Sequence, residues 1–516
     1  MIGNDPSKIY GMLTSNGRLV LLNPSGIWFG PNARVNTQSL VAAAGTLTPA
    51  QMQQFKQTGQ LNISLKSLIR NEGRIEVPDR GTVVLLGAQV ENIGQIHARQ
   101  GQVQLATGPQ ATLDFSGDGM LNLAVIDSSQ PGQVDDPNLT GGVKQAGLID
   151  VGSGIVSMTA ARAAQHLDSV ISVGGTVVAD SVSTQGGRIL LGSADRIDVG
   201  GALSASGTTG GTITMRGGAI HVADSASVKA AGTQSGGAWL IDSDKVDITG
   251  PGASSGISGA VIGRSLATNN VVVSARDRIN VDAPVAATGV GRVLDASGKP
   301  GAATLALIAS GNPGQVSTYE GTDKRNESGS VHISAPILLQ DGNLFIAATG
   351  DVRLVDNARS GETGDAAWNK RAIVSLGNGI AWLKTSNTAS VIQDPNTALM
   401  AGQVAVQGAS VQLASPLNYA GTLAGKASNG VFVFNQTNAS GSTNVGPIVA
   451  PFSGQVMNDV KAEQIVQLGS TEVVADWNAT DPGNPYKTVN LACPTGSRST
   501  TWCSKPPATW TGTAIP

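Results

Sequence analysis

A short internal repeat constrains the fold of this chain more than any other sequence feature. Three copies begin at Gly186, Gly210 and Gly236, and each opens on a Gly-Gly pair followed by a short apolar run. Two further, slightly shorter copies begin at Gly81 and Gly101. A unit this short cannot bury its own apolar face, so it must stack on copies of itself.

Apolar residues alternate along the strands that follow the glycine turns. The positions predicted to point inward are Val83, Leu85, Val103 and Leu105, and the residues between them are predicted to point outward. A period of two is typical of a strand with one buried face. The spacing of leucine-rich repeats and the repeated calcium-binding nonapeptide are both absent from the sequence. It therefore predicts an all-β fold, a parallel β-helix in which each strand pairs with its equivalents above and below.

The composition agrees with thin, stacked strands. Glycine accounts for 67 of the 516 residues, and aromatic residues make up only 3% of the chain. Too few large side chains are present for several separate globular cores, whereas small and β-branched residues suit stacked strands. The 40% of apolar residues is too high for simple disorder.

Two segments interrupt the strand pattern. Thr48 is a candidate N-cap, followed by Pro49 at the first helical position and by Gln51 at the position that completes a capping box, so a short helix is predicted there. Residues 159–166 have the composition of a helix, but the pattern around them also fits a strand followed by a turn. The fold is therefore expected to carry short helical and loop insertions.

Asn71 and Asn92 occupy equivalent positions in two neighbouring repeats. One interpretation is a ladder of side-chain amides at the corners of the helix, in which each amide satisfies the next. The alternative is a pair of ordinary turn asparagines.

The charge pattern narrows the range of partners. The chain carries 33 Lys and Arg against 36 Asp and Glu, a net charge of -3. Without a basic stripe to neutralise phosphates, nucleic acid is not an expected partner. The sequence contains no apolar run long enough to suggest a membrane-spanning helix.

Both cysteines, Cys493 and Cys503, lie near the C-terminal end of the chain. A short disulfide loop in an oxidising compartment is the favoured interpretation, and two unrelated free thiols are the alternative. None of the four histidines has another His or a Cys at metal-ligand spacing, so neither a metal site nor a cofactor is predicted.

A β-helix enzyme that acts on polysaccharides needs clustered acidic residues, and the sequence contains one weak candidate cluster. Asp242, Asp244 and Asp247 lie close together near Lys245, in the strand after Trp239. Alternation along a strand would place 242 and 244 on one face and 247 on the other, which does not make a clean acid/base pair. We therefore predict that the protein is not an enzyme.

The N-terminal region resembles a known family. Residues 7–13, 16–30, 33–36 and 39–42 are similar to the secretion domain of the filamentous haemagglutinin family, the large exoproteins of two-partner secretion. The resemblance continues through the repeats that contain Asn71 and Asn92 and through the Gly-Gly repeats as far as residue 242. The resemblance is close over roughly the first half of the chain, whereas the second half shares only the general character of the repeats.

The resemblance implies a right-handed parallel β-helix whose secretion domain is recognised by a partner outer-membrane β-barrel transporter with POTRA domains. The family's Asn-Pro-Asn-Gly-Ile motif corresponds to Asn23, Pro24, Ser25, Gly26 and Ile27, with Ser25 as the one departure. Proline fixes the first corner of a turn and glycine permits positive φ, so the motif also fits a plain structural turn. The two roles do not exclude each other.

The resemblance divides the chain into three expected regions. Residues 1–165 are a truncated secretion domain, residues 166–430 continue the β-helix, and residues 431–516 are an irregular C-terminal region with the Cys493–Cys503 loop. Family members begin with a signal peptide, which is missing here, so either the start is assigned too late or the chain is a fragment. A terminal cysteine loop is also similar to the anchoring end of surface-retained members.

The expected function is that of a secreted or surface-displayed adhesin of a Gram-negative bacterium, without enzymatic activity, that binds a host-cell receptor or glycan. One alternative is an exoprotein that binds haem or a haem carrier on the same scaffold. A second alternative is a β-helix enzyme that acts on polysaccharides.

Overall fold

The computed structural model describes residues 5–114, 125–127, 134, 136–181, 186–294, 300–311, 328–430, 432–436, 444–445, 448 and 451. Contacts along the chain divide it into two compact units, residues 1–233 (unit 1) and residues 234–516 (unit 2), and each is described by itself. The domain boundaries expected at 165 and 430 remain predictions. Cys493 and Cys503 lie outside the described residues.

In the described residues the elements are strands and three helices. The helices are α1 (Pro49–Thr58), α2 (Gly259–Leu266) and α3 (Gly364–Trp368). The strands up to residue 235 are β1 (Ser7–Ile9), β2 (Met12–Leu22), β3 (Ile27–Phe29), β4 (Arg34–Ala43), β5 (Gly45–Thr46), β6 (Gln60–Leu65), β7 (Leu68–Asn71), β8 (Arg74–Val77), β9 (Thr82–Gly87), β10 (Gln89–Asn92), β11 (Gln95–Ala98), β12 (Gln102–Thr107), β13 (Gln110–Asp114), β14 (Val125–Asp127), β15 (Gly141–Gln145), β16 (Leu148–Asp150), β17 (Ile155–Ala160), β18 (Asp168–Val173), β19 (Thr176–Val178), β20 (Arg188–Val199), β21 (Ala202–Ser204), β22 (Gly207–Thr209), β23 (Thr212–Val222), β24 (Ser227–Lys229) and β25 (Gly232–Ser235). The later strands are β26 (Ala238–Ser243), β27 (Val246–Thr249), β28 (Ile257–Ser258), β29 (Asn270–Ala275), β30 (Ile279–Val281), β31 (Val285–Ala287), β32 (Arg292–Leu294), β33 (Pro300–Ala302), β34 (Thr304–Ala309), β35 (Val331–Ile333), β36 (Ile337–Leu339), β37 (Asn343–Ala348), β38 (Val352–Leu354), β39 (Ile373–Ser375), β40 (Ile380–Thr385), β41 (Val391–Gln393), β42 (Ala398–Gly408), β43 (Val411–Leu413), β44 (Tyr419–Ala427), β45 (Phe432–Phe434) and β46 (Asn444–Val445).

Unit 1 is a parallel β-helix with three stacks of strands. The first stack contains β1, β3, β7, β10, β15, β18 and the second halves of β20 and β23. The second stack contains the first halves of β2 and β4, then β8, β11, β16, β19, β21 and β24. The third stack contains the second halves of β2 and β4, then β9, β12, β17 and the first halves of β20 and β23. Every pairing within these stacks is parallel, which confirms the predicted fold.

The core of unit 1 runs up the inside of the stacks in aligned columns. In the first stack Ile27, Ile69, Val90 and Val143 follow one another in register and are buried. Parallel strands are about 4.8 Å apart, so each aliphatic side chain packs directly on the next. This stacking replaces the single central cluster of a globular domain.

In the third stack the predicted inward residues are correct, but the expectation of one buried face is wrong. Val83 pairs with Val103 and Leu85 with Leu105, and all four are fully buried. The alternating residues Val84, Leu86 and Ala106 are also fully buried, because a second sheet covers the outside of the stack. A parallel sheet covered on both faces carries near-continuous apolar runs instead of strict alternation.

The second sheet of unit 1, called here the cover sheet, consists of β5, β6, β13 and β14 paired antiparallel. Its aliphatic side chains Leu61, Ile63, Leu65, Ala111 and Leu113 pack on the outward residues of the third stack. Helix α1 joins β5 to β6 and begins at Thr48 with the predicted capping box, in which Thr48 Oγ1 accepts from the Gln51 N–H at 3.2 Å. Gly59 ends the helix in the left-handed conformation.

The ambiguous segment at 159–166 is a strand end followed by a turn. β17 ends at Ala160, and residues 161–167 form the turn that leads to β18. The Gly-Gly repeats pair as expected, since Arg188–Leu191 lie in register with Thr212–Met215.

Unit 2 contains the same three kinds of parallel stack. The first contains β27, β30, β35, β38, β41, β43 and β45. The second contains β31, β36, β39 and the first halves of β42 and β44, with α2 packed against β31. The third contains β26, β29, β34, β37, β40, the second halves of β42 and β44, and β46. In the described parts of the chain, no helix has the length and apolar character needed to cross a membrane.

Candidate functional site: the 23–27 turn and the cleft beside it

The motif Asn23–Ile27 connects β2 to β3 as a tight, side-chain-stabilised turn. The Gly26 N–H donates to the Asn23 carbonyl at 3.2 Å, and the Ser25 N–H donates to Asn23 Oδ1 at 2.9 Å. Asn23 Nδ2 donates to the Asp5 carbonyl at 3.0 Å and to Ser7 Oγ at 2.9 Å. The buried Asn23 side chain therefore ties the turn to the start of β1.

Glycine is required at position 26 for two reasons. Its φ is +107°, a conformation that side-chain-bearing residues rarely adopt. A Cβ at this position would also lie 2.9 Å from the Leu68 carbonyl oxygen. Ile27, directly after it, points into the core and is 1% exposed. The motif is thus a short turn whose two ends are fixed inside the β-helix.

A cleft of about 530 Å³ lies beside this turn, within unit 1. Ser25, Gly26 and Trp28 form one side, and the loop that contains Asp136 and Leu139 forms the other. The floor is made of outward-facing residues of the first stack, because β3, β7 and β10 lie next to one another. We call this feature the turn cleft.

The floor of the turn cleft is an aligned column of aromatic and charged side chains. Trp28, Arg70 and Glu91 follow one another in register on successive strands. The guanidinium of Arg70 lies 2.6 Å from a Glu72 carboxylate oxygen and 3.3 Å from one of Glu91. Trp28 Nε1 donates to the other Glu72 oxygen at 3.2 Å, and the Tyr10 ring packs edge-on against the indole at 5.7 Å.

The far wall of the turn cleft is fastened to its floor by Gln89. The side-chain oxygen of Gln89 accepts from the Thr140 N–H at 2.8 Å and from the Gly141 N–H at 3.1 Å. Gln89 Nε2 donates to Glu91 Oε1 at 2.9 Å. Because Gln89 is 9% exposed, these bonds are largely shielded from water and hold the loop and the floor as one body.

The two predicted corner asparagines meet inside the first stack. Asn71 Nδ2 donates to Asn92 Oδ1 at 2.7 Å, and Asn92 Nδ2 donates to Gln145 Oε1 at 2.7 Å. Gln145 continues the column by donating to the Gly147 carbonyl at 2.9 Å. All three amides are fully buried. Sequence comparison of the repeats did not find Gln145, because the residues between β13 and β15 break the spacing.

The acidic residues considered for catalysis point to different surfaces. Asp242 lies on the third stack of unit 2, whereas Asp247 lies on the first and accepts from Asn280 Nδ2 at 2.9 Å. Asp244, between them, pairs with Arg276 at 2.6 Å. Among the residues described by the structure, no group of three or more His, Cys, Asp or Glu side chains is arranged to hold a metal ion.

The motif residues Ser25 and Gly26 of the turn cleft were predicted from the sequence, but the residues of its floor were not. Trp28, Arg70 and Glu91 belong to three different repeats, and only their register brings them together. Their shared position relative to the inward residues Ile27, Ile69 and Val90 was the signal that would have aligned them.

Comparison with known proteins relates the region that contains the turn to one family. The model described as the TPS secretion domain matches residues 1–215. The heme/hemopexin-binding protein of Haemophilus influenzae is 28% identical over 203 residues, which are 38% of this chain and 21% of that protein. The matched part thus spans about a fifth of this relative. The crystal structure of the HMW1 secretion domain from Haemophilus influenzae aligns with a TM-score of 0.36 and 18% identity, covering 82% of each chain.

Proposed function

We propose that residues 1–215, which match the model of the two-partner secretion (TPS) domain, direct export of the chain through a partner outer-membrane β-barrel transporter with POTRA domains. The turn at 23–27 is the proposed recognition element. The observation that supports this role is the construction of the turn: Pro24 and Ser25 remain partly exposed, while the buried residues Asn23 and Ile27 fix the turn in the fold. The exported chain would reach the surface or surroundings of a Gram-negative cell.

The experiment compares two glycine variants of the full chain in cells that also make the partner transporter. Gly26→Ala places a Cβ against the Leu68 carbonyl and forces a strained φ, which costs about 1–3 kcal/mol. Gly11→Ala is the matched control, because a Cβ there meets no atom within 4 Å. We expect Gly26→Ala to lower the amount of exported protein several-fold and Gly11→Ala to leave it unchanged.

Deletion of the transporter provides the second arm of this experiment. The unmodified chain should then accumulate inside the cell. Export that continues without the transporter, or that is equal for the Gly26 and Gly11 variants, would contradict the proposed role.

For the exported chain we propose a non-enzymatic adhesin that binds a host-cell receptor or glycan through exposed loops. The stacked architecture supports this, because a β-helix presents many loops on a rigid scaffold. The test measures binding of the purified chain to host cells before and after removal of surface glycans. Binding at background level on both would contradict the adhesin proposal.

A second candidate is binding of haem or a haem carrier, and one specific observation favours it. The similar protein of Haemophilus influenzae is named for heme and hemopexin binding, although the match covers only 21% of its length. Titration of the chain with haem, and separately with hemopexin, distinguishes the two candidates. Saturable binding of either ligand would support the second candidate and weaken the first.

A further inference from the structure

We propose that the turn cleft binds an extended peptide segment of the exporting partner, in which a basic side chain lies between apolar ones. This inference rests on the proposed export function and names the chemistry of the partner at the same site. It follows from the charge, the apolar walls and the rigidity of the cleft.

The charge of the turn cleft is negative. Among the described residues that line it, Arg70 is the one basic group, and it already pairs with Glu91 in the cleft and with Glu72 just outside it. Asp136 lines the opposite wall, and in the described part of the chain no ion pair joins it to a basic residue. Arg70 is thus neutralised by Glu72 and Glu91 and leaves the Asp136 carboxylate on the far wall uncompensated by an ion pair, so a cationic group is the complementary ligand.

Apolar surface lies beside these carboxylates. The indole of Trp28 forms part of one side, and its face attracts cations in addition to its apolar contact. Leu68 on the floor and Leu139 on the loop supply aliphatic contact. The cleft extends over more than one strand of the first stack, and its volume of about 530 Å³ exceeds what a single amine needs. A peptide with alternating basic and apolar residues satisfies both surfaces.

The cleft is held open in a fixed shape. Gln89 bonds both the loop after Asn138 and the Glu91 carboxylate, so the acidic group cannot move independently of the wall. A site whose walls are already ordered loses little conformational entropy when a peptide enters. This favours the cleft as a docking site over surface turns that lack such bonds.

The test uses the full chain and the peptide Leu-Arg-Leu-Arg-Leu-amide, labelled with fluorescein at its N-terminal amine, with fluorescence anisotropy as the readout. The same peptide with Glu in place of Arg is the ligand control. We expect saturable binding of the arginine peptide that weakens as salt rises, and no binding of the glutamate peptide. Equal binding of the two peptides would overturn the inference.

Two conservative substitutions remove the acidic charge and retain the hydrogen bonds. Glu91→Gln keeps an oxygen for Gln89 Nε2, and Asp136→Asn keeps an oxygen for the Asn138 N–H. The double variant should bind the arginine peptide at least about tenfold more weakly, since charge-assisted contacts are lost. Asp136→Asn alone should weaken peptide binding several-fold. Because Asp136 lies on a surface loop, this single variant still tests the inference if the double variant fails to fold. Glu76→Gln, an exposed carboxylate outside the cleft, is the matched control and should change nothing.

Export of the same variants separates this inference from the proposed function. If the Glu91→Gln and Asp136→Asn double variant loses peptide binding and is exported poorly, the inference is supported. If it loses peptide binding but is exported normally while Gly26→Ala is not, the cleft is not where the partner docks, and the export function still stands. If export of the unmodified chain does not depend on the transporter, the proposed function itself fails.

Discussion

Both units bury the outer face of their third stack, but the side chains on that face differ. In unit 1 the cover sheet packs aliphatic residues against Val84, Leu86 and Ala106. In unit 2 the corresponding outward column contains two aromatic rings, Phe345 and Trp382, stacked at 4.7 Å with an angle of 2° between their planes. The outward face of a parallel β-helix is therefore a second site of core formation whose packing can differ along one chain.

The units also differ in how they satisfy buried amides. Unit 1 uses a vertical ladder in its first stack, in which Asn71 donates to Asn92 on the next strand and Asn92 donates to Gln145 on the strand after that. Unit 2 uses a reciprocal pair, because Gln393 Nε2 donates to Asn418 Oδ1 at 2.7 Å and Asn418 Nδ2 donates back to Gln393 Oε1 at 2.8 Å. The ladder runs through three successive strands of one stack, whereas the closed pair joins only two successive turns of the chain.

The largest expected effect tests the aromatic packing of unit 2. Trp382→Ala removes a side chain that is 3% exposed and should lower the free energy of unfolding of unit 2 by about 3–5 kcal/mol. Urea denaturation combined with amide hydrogen exchange of β37 and β40 measures the loss. Trp368→Ala is the matched control, because Trp368 is 44% exposed and should cost less than about 0.5 kcal/mol. Equal losses of stability in the two variants would contradict the view that the stacked aromatic rings stabilise unit 2.

The next effect tests the amide ladder of unit 1. Asn92→Leu leaves Asn71 Nδ2 and Gln145 Oε1 buried without their partner, at about 1–3 kcal/mol for each group. We expect a loss of about 2–4 kcal/mol in thermal or urea unfolding and lower hydrogen-exchange protection in β7, β10 and β15. Asn36→Leu, at an exposed position of β4, is the control. An unchanged stability of Asn92→Leu would mean that the ladder does not couple the strands.

The smallest effect concerns a charge placed on the covered face of unit 2. Lys384 is 7% exposed in β40, and burial holds the pKa of its ammonium below the ordinary 10.5. Lys384→Met should therefore stabilise the protein by about 1 kcal/mol at pH 7. The proton leaves Lys384 more readily in the folded protein than in the unfolded chain, so this advantage should shrink as the pH rises towards 10.5. Thermal unfolding at pH 7 and pH 10 measures it, and a destabilised variant at pH 7 would contradict the burial argument.

Repeat spacing alone predicted the stacked strands, because each inward column keeps its register through short turns. The alignment of Val83 with Val103 and of Leu85 with Leu105 illustrates this. The helix at Thr48 was also predictable, since capping is a local property of the sequence. The cover sheet was not, because its strands pair residues as distant as Asn62 and Thr112 through contacts that no repeat encodes.

The turn at 23–27 was identified by its motif, whereas the cleft beside it was not. Proline and glycine mark a turn locally. The cleft requires Arg70 and Glu91 from later strands, and it requires Gln89 to hold the 136–141 loop. The strand register and the loop contacts that bring these residues together appear only in three dimensions. The sequence therefore predicted the local turn but not the residues that come together only when strands stack.

The cover sheet has a consequence for the order in which unit 1 assembles. Asn71 and Asn92 join neighbouring strands across 21 positions, but Asn62 and Thr112 join the cover sheet across 50. A longer loop closes with a larger entropic cost and more slowly. As the chain folds from its N-terminal end, β9 can stack on β4 well before β13 is available to pair with β6. For that interval the third stack lacks the part of its cover that Ala111 and Leu113 supply, so folding of unit 1 passes through a partly covered, aggregation-prone stage that ends when residue 114 arrives.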